Sequence, residues 1–302
     1  MLQSLLLSAQ KSISIILIIL MMPFNFANLE STHEPKNPDE VKTSFTVLSD
    51  CHIEGNNLRT FEVFEQILKD VKSSERNDAL VFLGDNVMNG QFIENNFFYG
   101  GLKAAGLDTQ LIVAPGNHDF SNDQGSYSVY LNRFLGYNNI FLGANLTSPY
   151  YFRVINGCYF IVLSSEEATV DEADISDKQL KWLSEVLDEA EKTGNPIFVF
   201  NHHPADYIVG ESDRLTDVLC EYDNLIYFCG HTHLPLRYGT FYECNSVQSI
   251  NLPKSTEHAV EAYECGVGAV VEVYEDEVLV RMRNFCDGKW IPEYERSYPI
   301  TK

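Results

Sequence analysis

The sequence predicts an α/β fold, and three features carry the prediction. Short apolar runs rich in β-branched and aromatic residues are followed, repeatedly, by a turn and a helical pattern. Five of these runs end in clusters of Asp, Asn and His. After Leu236 the alternation gives way to strands alone. Alternating β and α elements imply a sheet covered by helices, and a β-only tail implies a second sheet or an extension of the first.

The elements follow in chain order. Residues 1–27 carry Lys11 as their one charge, and the run Ile13–Met22 is apolar except for Ser14. That run is short for a membrane span, which takes about 20 apolar residues. The segment reads as a secretory signal peptide or an uncleaved N-terminal anchor, giving a secreted or extracytoplasmic chain. Residues 28–43 are polar and contain proline, as a linker would.

The first strand is Phe45–Leu48, followed by a helix around Leu58–Val71 with Phe61, Phe64, Ile67, Leu68 and Val71 on one face. Strands follow at Ala79–Leu83 and Leu111–Ala114. Asn156-Gly157 joins Tyr150–Val154 to Cys158–Leu163 as a hairpin. Ser176 caps a helix whose apolar positions are Leu180, Leu183, Val186, Leu187 and Ala190. Ile197–Phe200, a helix around Arg214–Glu221 and Leu225–Phe228 complete the alternation. The tail holds strands at Arg237–Tyr242, Gly268–Val273 and Glu277–Arg283. Residues 44–235 thus form the main domain, with 236–302 as a β-rich extension packed on it.

The 302 residues carry 21 Lys and Arg against 43 Asp and Glu, a net charge of −22. That balance argues against a nucleic-acid partner, whose phosphates would demand clustered basic residues. It leaves small anionic substrates open, because bound cations reverse the local field. Seven cysteines are present, and without Cys51 the remaining six allow disulfides or buried free thiols.

The chemistry lies at the strand ends. The clusters are Asp50-Cys51-His52, Gly84-Asp85-Asn86, Gly116-Asn117-His118-Asp119, Asn201-His202-His203-Pro204 and Gly230-His231-Thr232-His233. Ligands of open α/β sheets bind at the carboxyl ends of strands, so these clusters can converge. Six of the eight histidines fall in them; His33 and His258 do not, and read as surface residues. Oxygen and imidazole donors suit Mn, Fe, Zn or a similar metal. The seven donors are too many for one ion and suit two ions sharing a carboxylate. Cys51 reads as a small residue filling a turn, with a redox-sensitive thiol as the rival reading. Asn86 contacts the nucleophile or caps its turn. The carboxylates between Glu166 and Asp177 read as a solvated loop, with cation binding as the rival.

These five clusters, in this order from Asp50 to His233, closely resemble the calcineurin-like metallophosphoesterase family, with its D-x-H, GD, GNH-D/E, H-x-P and GH-x-H motifs. The resemblance implies an α/β/β/α sandwich of two mixed sheets flanked by helices. It implies two divalent or trivalent metal ions, with Asp50, His52 and His233 on the first. Asn117, His202 and His231 would hold the second, and Asp85 would bridge. It further implies hydrolysis of small phosphate mono- or diesters by a hydroxide held between the ions. His118 would sit at the leaving oxygen and Asp119 would orient His118, while His203 is the neighbour that could meet the substrate phosphate. Met88 stands where purple acid phosphatases carry tyrosine, and the stretch after Asp85 lacks the arginine motif of protein phosphatases. The sequence looks closer to secreted and cyclic-nucleotide-phosphodiesterase-like members. The alternative is a metal-binding pseudoenzyme or scaffold that recruits a partner.

Overall fold

The central strands are continuous apolar runs because both of their faces are covered. In the computed structural model, which describes residues 33–120, 126–166, 173–208, 214–256 and 265–301, β1 (Thr43–Leu48), β2 (Ala79–Phe82) and β3 (Gln110–Val113) run parallel. Residues 1–27 and His258 lie outside the described residues. A second parallel set comprises β5 (Cys158–Val162), β6 (Ile197–Phe200), β7 (Leu225–Cys229) and β9 (Val247–Asn251). β4 (Tyr151–Ile155) joins its edge through the Asn156-Gly157 turn, both residues at positive φ as such a hairpin requires.

The two sheets are mixed. One has the order β12-β11-β10-β1-β2-β3, with β10 (Val267–Val273), β11 (Glu277–Asn284) and β12 (Lys289–Pro299) antiparallel beside β1. The other is β4-β5-β6-β7-β9-β8, with β8 (Phe241–Cys244) antiparallel at the edge. Residues after 236 therefore complete both sheets: two of their strands enter one and three enter the other.

Residue parity sorts each strand between two cores. Phe45, Val47, Val81, Phe160, Phe198, Phe200 and Phe228 interlock between the sheets. Leu48, Leu80 and Phe82 face the other way, onto α1 (Leu58–Ser73), α2 (Phe92–Ala105) and α4 (Tyr127–Phe141). Ile161, Val199 and Tyr227 face α5 (Asp177–Glu191) and α6 (Arg214–Leu219). The result is the α/β/β/α sandwich that the sequence predicts. The predicted face of α1 is the buried one, and Ser176 caps α5 by accepting the Gln179 N–H.

Three readings need correction. The stretch 237–242 is not one strand: after Pro235 a 3-10 turn over Leu236–Tyr238 ends at Gly239, which takes φ 108°, and β8 starts at Phe241. Helices α2 and α4 and strands β9 and β12 had no counterpart in the sequence reading. His33 is not a surface residue: it is buried, with Nδ1 3.1 Å from Asp70 Oδ1.

That contact belongs to a buried ion network. Arg283 grips Asp70 with two parallel hydrogen bonds, Nε to Oδ1 at 2.8 Å and the terminal amine to Oδ2 at 2.7 Å. Burial alone would raise the Asp70 pKa, but the hydrogen bonds from His33 and Arg283 outweigh it and hold the group below its ordinary value. Replacing Arg283 with Met strands this carboxylate and should cost about 3–5 kcal/mol in urea unfolding. A loss below about 1 kcal/mol would contradict that account. The Asp70 contribution is fully present above the unfolded carboxyl value of about 3.9 and fades as pH falls through the lower folded value.

Candidate metal centre

Every element that supplies the centre ends at the same edge of the sandwich. β1 delivers Asp50 and His52, and β2 delivers Asp85. The turn after β3 opens the short helix α3 (Asn117–Phe120) with Asn117 and His118. β6 runs into His202, and β7 into His231 and His233.

The turns are sharp. Among the described residues ten non-glycines have positive φ, and five of them are Asp50, His52, Asp85, His231 and His233. Asp and His tolerate this region better than most residues, yet each such position costs energy that the surrounding fold must hold in place. Such backbone strain concentrates at functional sites because it aims side chains that a relaxed chain would not.

The side chains form two groups around Asp85. In the first, Asp50, His52, Asp85 and His233 each offer a donor atom, all within 4.8 Å of one another. His52 Nε2 and His233 Nε2 face each other at 3.0 Å, and Asp50 Oδ1 lies 3.0 Å from His233 Nε2. In the second, Asp85, His202 and His231 converge in the same way. His202 Nε2 stands 3.2 Å from Asp85 Oδ2 and 3.3 Å from His231 Nδ1. Asn117 Oδ1 lies 3.2 Å from that same His231 nitrogen. The seven donors named from the sequence are thus brought together, and Asp85 is shared by both groups.

The donor set fits two cations. Ring nitrogens that face each other at 3.0 and 3.3 Å, flanked by carboxylate oxygens, present lone pairs to common points with too few protons to share. Oxygen and imidazole donors without thiolate are those of Mn, Fe, Zn and their neighbours. The electrostatics agree. Burial alone would raise the Asp50 pKa, yet His202, His233 and His52 hold it well below its usual range. Burial likewise opposes ionisation of Asp85, and the charge of His202 and its hydrogen bond hold that group down. His202, though burial would lower it, is carried up to about 9 by Asp85 and Asp50. A proton on His202 thus balances the carboxylates, and a bound cation would take over that role while releasing it.

Glycines let the backbone close on both carboxylates. A Cβ on Gly116 would lie 2.2 Å from Asp85 Oδ1, and a Cβ on Gly230 2.4 Å from Asp50 Oδ2. Asp50 Oδ2 also accepts from the Ser49 hydroxyl at 2.5 Å and the His231 N–H at 3.1 Å. Asp85 Oδ1 accepts the His118 N–H at 2.8 Å.

His118 reaches the centre, but Asp119 does not orient it. The Nδ1–H of His118 donates to the Met88 carbonyl at 2.7 Å, leaving Nε2 4.0 Å from Asp85 Oδ2. The Asp119 carboxylate is buried and bound elsewhere. It accepts from the Gly116 N–H at 2.8 Å, the Val87 N–H at 3.2 Å and the Asn86 backbone and side chain. It ties the β2 and β3 loops together, and burial with the nearby Asp85 charge raises it to about 7. Asn86 shares in this tie, also donating to the Ala114 carbonyl, so it acts within the loop.

His203 is equally displaced from its expected role. It is fully buried, its ring 4.3 Å from that of His231, and burial with the charges of His202 and His231 pushes it down to about 2. Successive residues leaving a strand point to opposite sides, so His202 faces the centre and His203 packs behind it, out of reach of a substrate phosphate. Cys51 points into the α1 core, and burial raises its thiol pKa far above the ordinary value. Glu166 accepts the Ser176 N–H at 2.7 Å and Asp177 pairs with Arg214, so these two serve local structure. Glu167, Asp171 and Glu172 lie outside the described residues.

Comparison with known proteins agrees with this picture. A family model described as calcineurin-like phosphoesterase matches residues 43–235. No curated protein matches the chain. A dimetal phosphatase from Danio rerio superposes with a TM-score of 0.63 at 14% identity, covering 87% of this chain and 100% of that one. At that identity the superposition shows the fold. Vps29 from Entamoeba histolytica, complexed with zinc, gives a TM-score of 0.38 at 13% identity, covering 86% of this chain and 100% of that one.

Proposed function

The chain belongs to the calcineurin-like phosphoesterase family, and from that premise we propose that it is a two-metal hydrolase of small phosphate mono- or diesters. The observation that carries the proposal is the shared carboxylate: Asp85 stands at once in both donor groups. In this reading Asp50, His52, Asp85 and His233 hold one ion, and Asp85, Asn117, His202 and His231 hold the other. When bound, such a pair supplies Lewis acidity toward a phosphoryl oxygen and generates the hydrolytic nucleophile at neutral pH.

The rest of the chemistry belongs to the chain. Asp50 and Asp85 are ionised and aimed before any ligand arrives, so little reorganisation is needed at the moment of reaction. His118 is the residue placed to meet the substrate. Met88 fixes its tautomer with the proton on Nδ1, so Nε2 accepts a hydrogen bond when neutral and donates only as the imidazolium. In that charged form it can protonate or stabilise a leaving oxygen. The retention of every donor together with this free Nε2 favours an enzyme over a scaffold. The chain's charge of −22 favours a small ester over a polyanion.

The test is metal-dependent turnover of an aryl phosphate and a bis-aryl phosphate. Dialysis against a chelator should abolish hydrolysis of whichever ester is turned over, and Mn, Zn or Fe should restore it. Hydrolysis that survives complete metal removal, or its absence from both esters with two ions bound, would refute the proposal.

A further inference from the structure

Two cysteines meet outside the metal centre, where the chain enters β10 and leaves β11. Val267 pairs with Asn284, and Phe285 donates its N–H to the Gly266 carbonyl at 2.8 Å. Cys265 precedes Gly266, and Cys286 follows Phe285 in the turn 285–288 that joins β11 to β12.

The side chains use the proximity. The two thiols are hydrogen-bonded to each other. The Cys286 sulfur lies over Gly266, whose φ is +79° and where a Cβ would come within 2.4 Å of it. Cys286 is half-buried and Cys265 buried. Among the remaining cysteines, Cys229 donates its thiol to the Ile250 carbonyl and its sulfur meets the Tyr242 hydroxyl, and Cys51 is sealed in the α1 core.

We propose that Cys265 and Cys286 are an oxidisable pair that closes to a disulfide. With a low-molecular-weight disulfide such as oxidised glutathione as oxidant, the chemistry is thiol–disulfide exchange. The Cys265 thiolate attacks one glutathione sulfur, breaking its S–S bond and releasing one glutathione thiolate. The Cys286 thiolate then attacks the Cys265 sulfur of the mixed disulfide and releases the second. Two protein thiols are oxidised, one glutathione disulfide is reduced, and the two cysteine protons pass to the glutathione thiolates. In the reduced pair the hydrogen bond from Cys286, with burial opposing and Arg59 nearby, lowers the Cys265 thiol, while the same contact and burial raise that of Cys286, so Cys265 is favoured as the first thiolate.

The cross-link would brace a strap beneath the metal centre. Gly266 donates its N–H to the Ser255 carbonyl at 2.6 Å, and Ser255 donates to the Ser49 carbonyl at 3.0 Å. Thr256 donates its hydroxyl to the Cys51 carbonyl. The turn that carries Asp50 and His52 therefore rests on the segment that enters β10 beside Cys265.

The experiment reads bonds and stability, independently of activity. The full chain is incubated with oxidised glutathione, alkylated without reduction, digested and mapped by mass spectrometry. The expected product is a peptide pair joined through Cys265 and Cys286, lighter by two hydrogen atoms and separated by dithiothreitol. The oxidised chain should melt about 5–10 °C above the reduced one, and Cys286→Ser should abolish both the linked peptide and the shift. Alkylation of both thiols after oxidation, a lasting glutathione adduct on either cysteine, or a link from Cys265 to another cysteine would each overturn the proposal.

Discussion

Asp85→Asn is expected to lower kcat/KM for phosphate esters by about a thousandfold or more, the scale on which a preorganised charge at a reacting centre acts. The substitution keeps the size of the side chain and removes its charge. In the native site Asp85 Oδ2 stands 3.2 Å from His202 Nε2 and 3.5 Å from His52 Nε2, so one oxygen faces both donor groups. An amide in its place halves the acceptor capacity and puts donor hydrogens toward ring nitrogens that need a cation. Both groups then weaken at once. Elemental analysis should find fewer than two ions per chain in this variant. Asp50→Asn provides the contrast, since Asp50 belongs to the first group alone. It should deplete that group and leave the second occupied. An Asp85→Asn protein with two ions and full turnover would refute the shared-carboxylate reading.

What the sequence disclosed, and what it hid, follows from how each feature is encoded. The strands that feed the centre are buried on both faces, so they stand out as unbroken apolar runs, and a polar residue straight after such a run is conspicuous. Donor positions were therefore readable one by one. Roles that depend on direction were not. Asp119 directly follows His118, and only the fold shows it turned toward Gly116 and Asn86. His202 and His203 are adjacent and of one type, and only the parity of the chain separates them. His33 is buried against Asp70, 37 residues away in sequence, whose other partner Arg283 lies a further 213 residues on. Helix α2 was missed because it packs against both α1 and α4 and buries most of its surface, which erases the one-sided pattern. Strand β12 was missed for the opposite reason. It is a largely exposed edge strand, with Pro292 inside it and a register shift in its partner between Arg281 and Met282.

Gly116→Ala should lose at least as much activity as Asp85→Asn and should also destabilise the fold. The Gly116 backbone conformation is open to alanine, since its φ is not positive, so the objection is steric alone. The new Cβ would lie 2.2 Å from Asp85 Oδ1, 2.3 Å from Asp85 N and 2.9 Å from the His202 ring. Two of these three atoms belong to the group that both ions would share, and one of them is backbone, which cannot swing away. Relief requires the β2 and β3 loops to part. That motion breaks the Gly116–Asp119 and His118–Asp85 hydrogen bonds at 2.8 Å and strands two buried carboxylates. Overpacking of this kind costs about 1–3 kcal/mol, to which the lost hydrogen bonds add. Gly136→Ala is the matched control. It lies within α4, its Cβ meets nothing within 4 Å, and its φ is not positive. There alanine should stabilise by about 0.5–1 kcal/mol through helix propensity and leave turnover unchanged. Urea unfolding and turnover of the two variants would separate the steric cost at Gly116 from a general effect of adding a methyl group. Wild-type activity and stability in Gly116→Ala would show that Asp85 is not held by the close approach of this glycine.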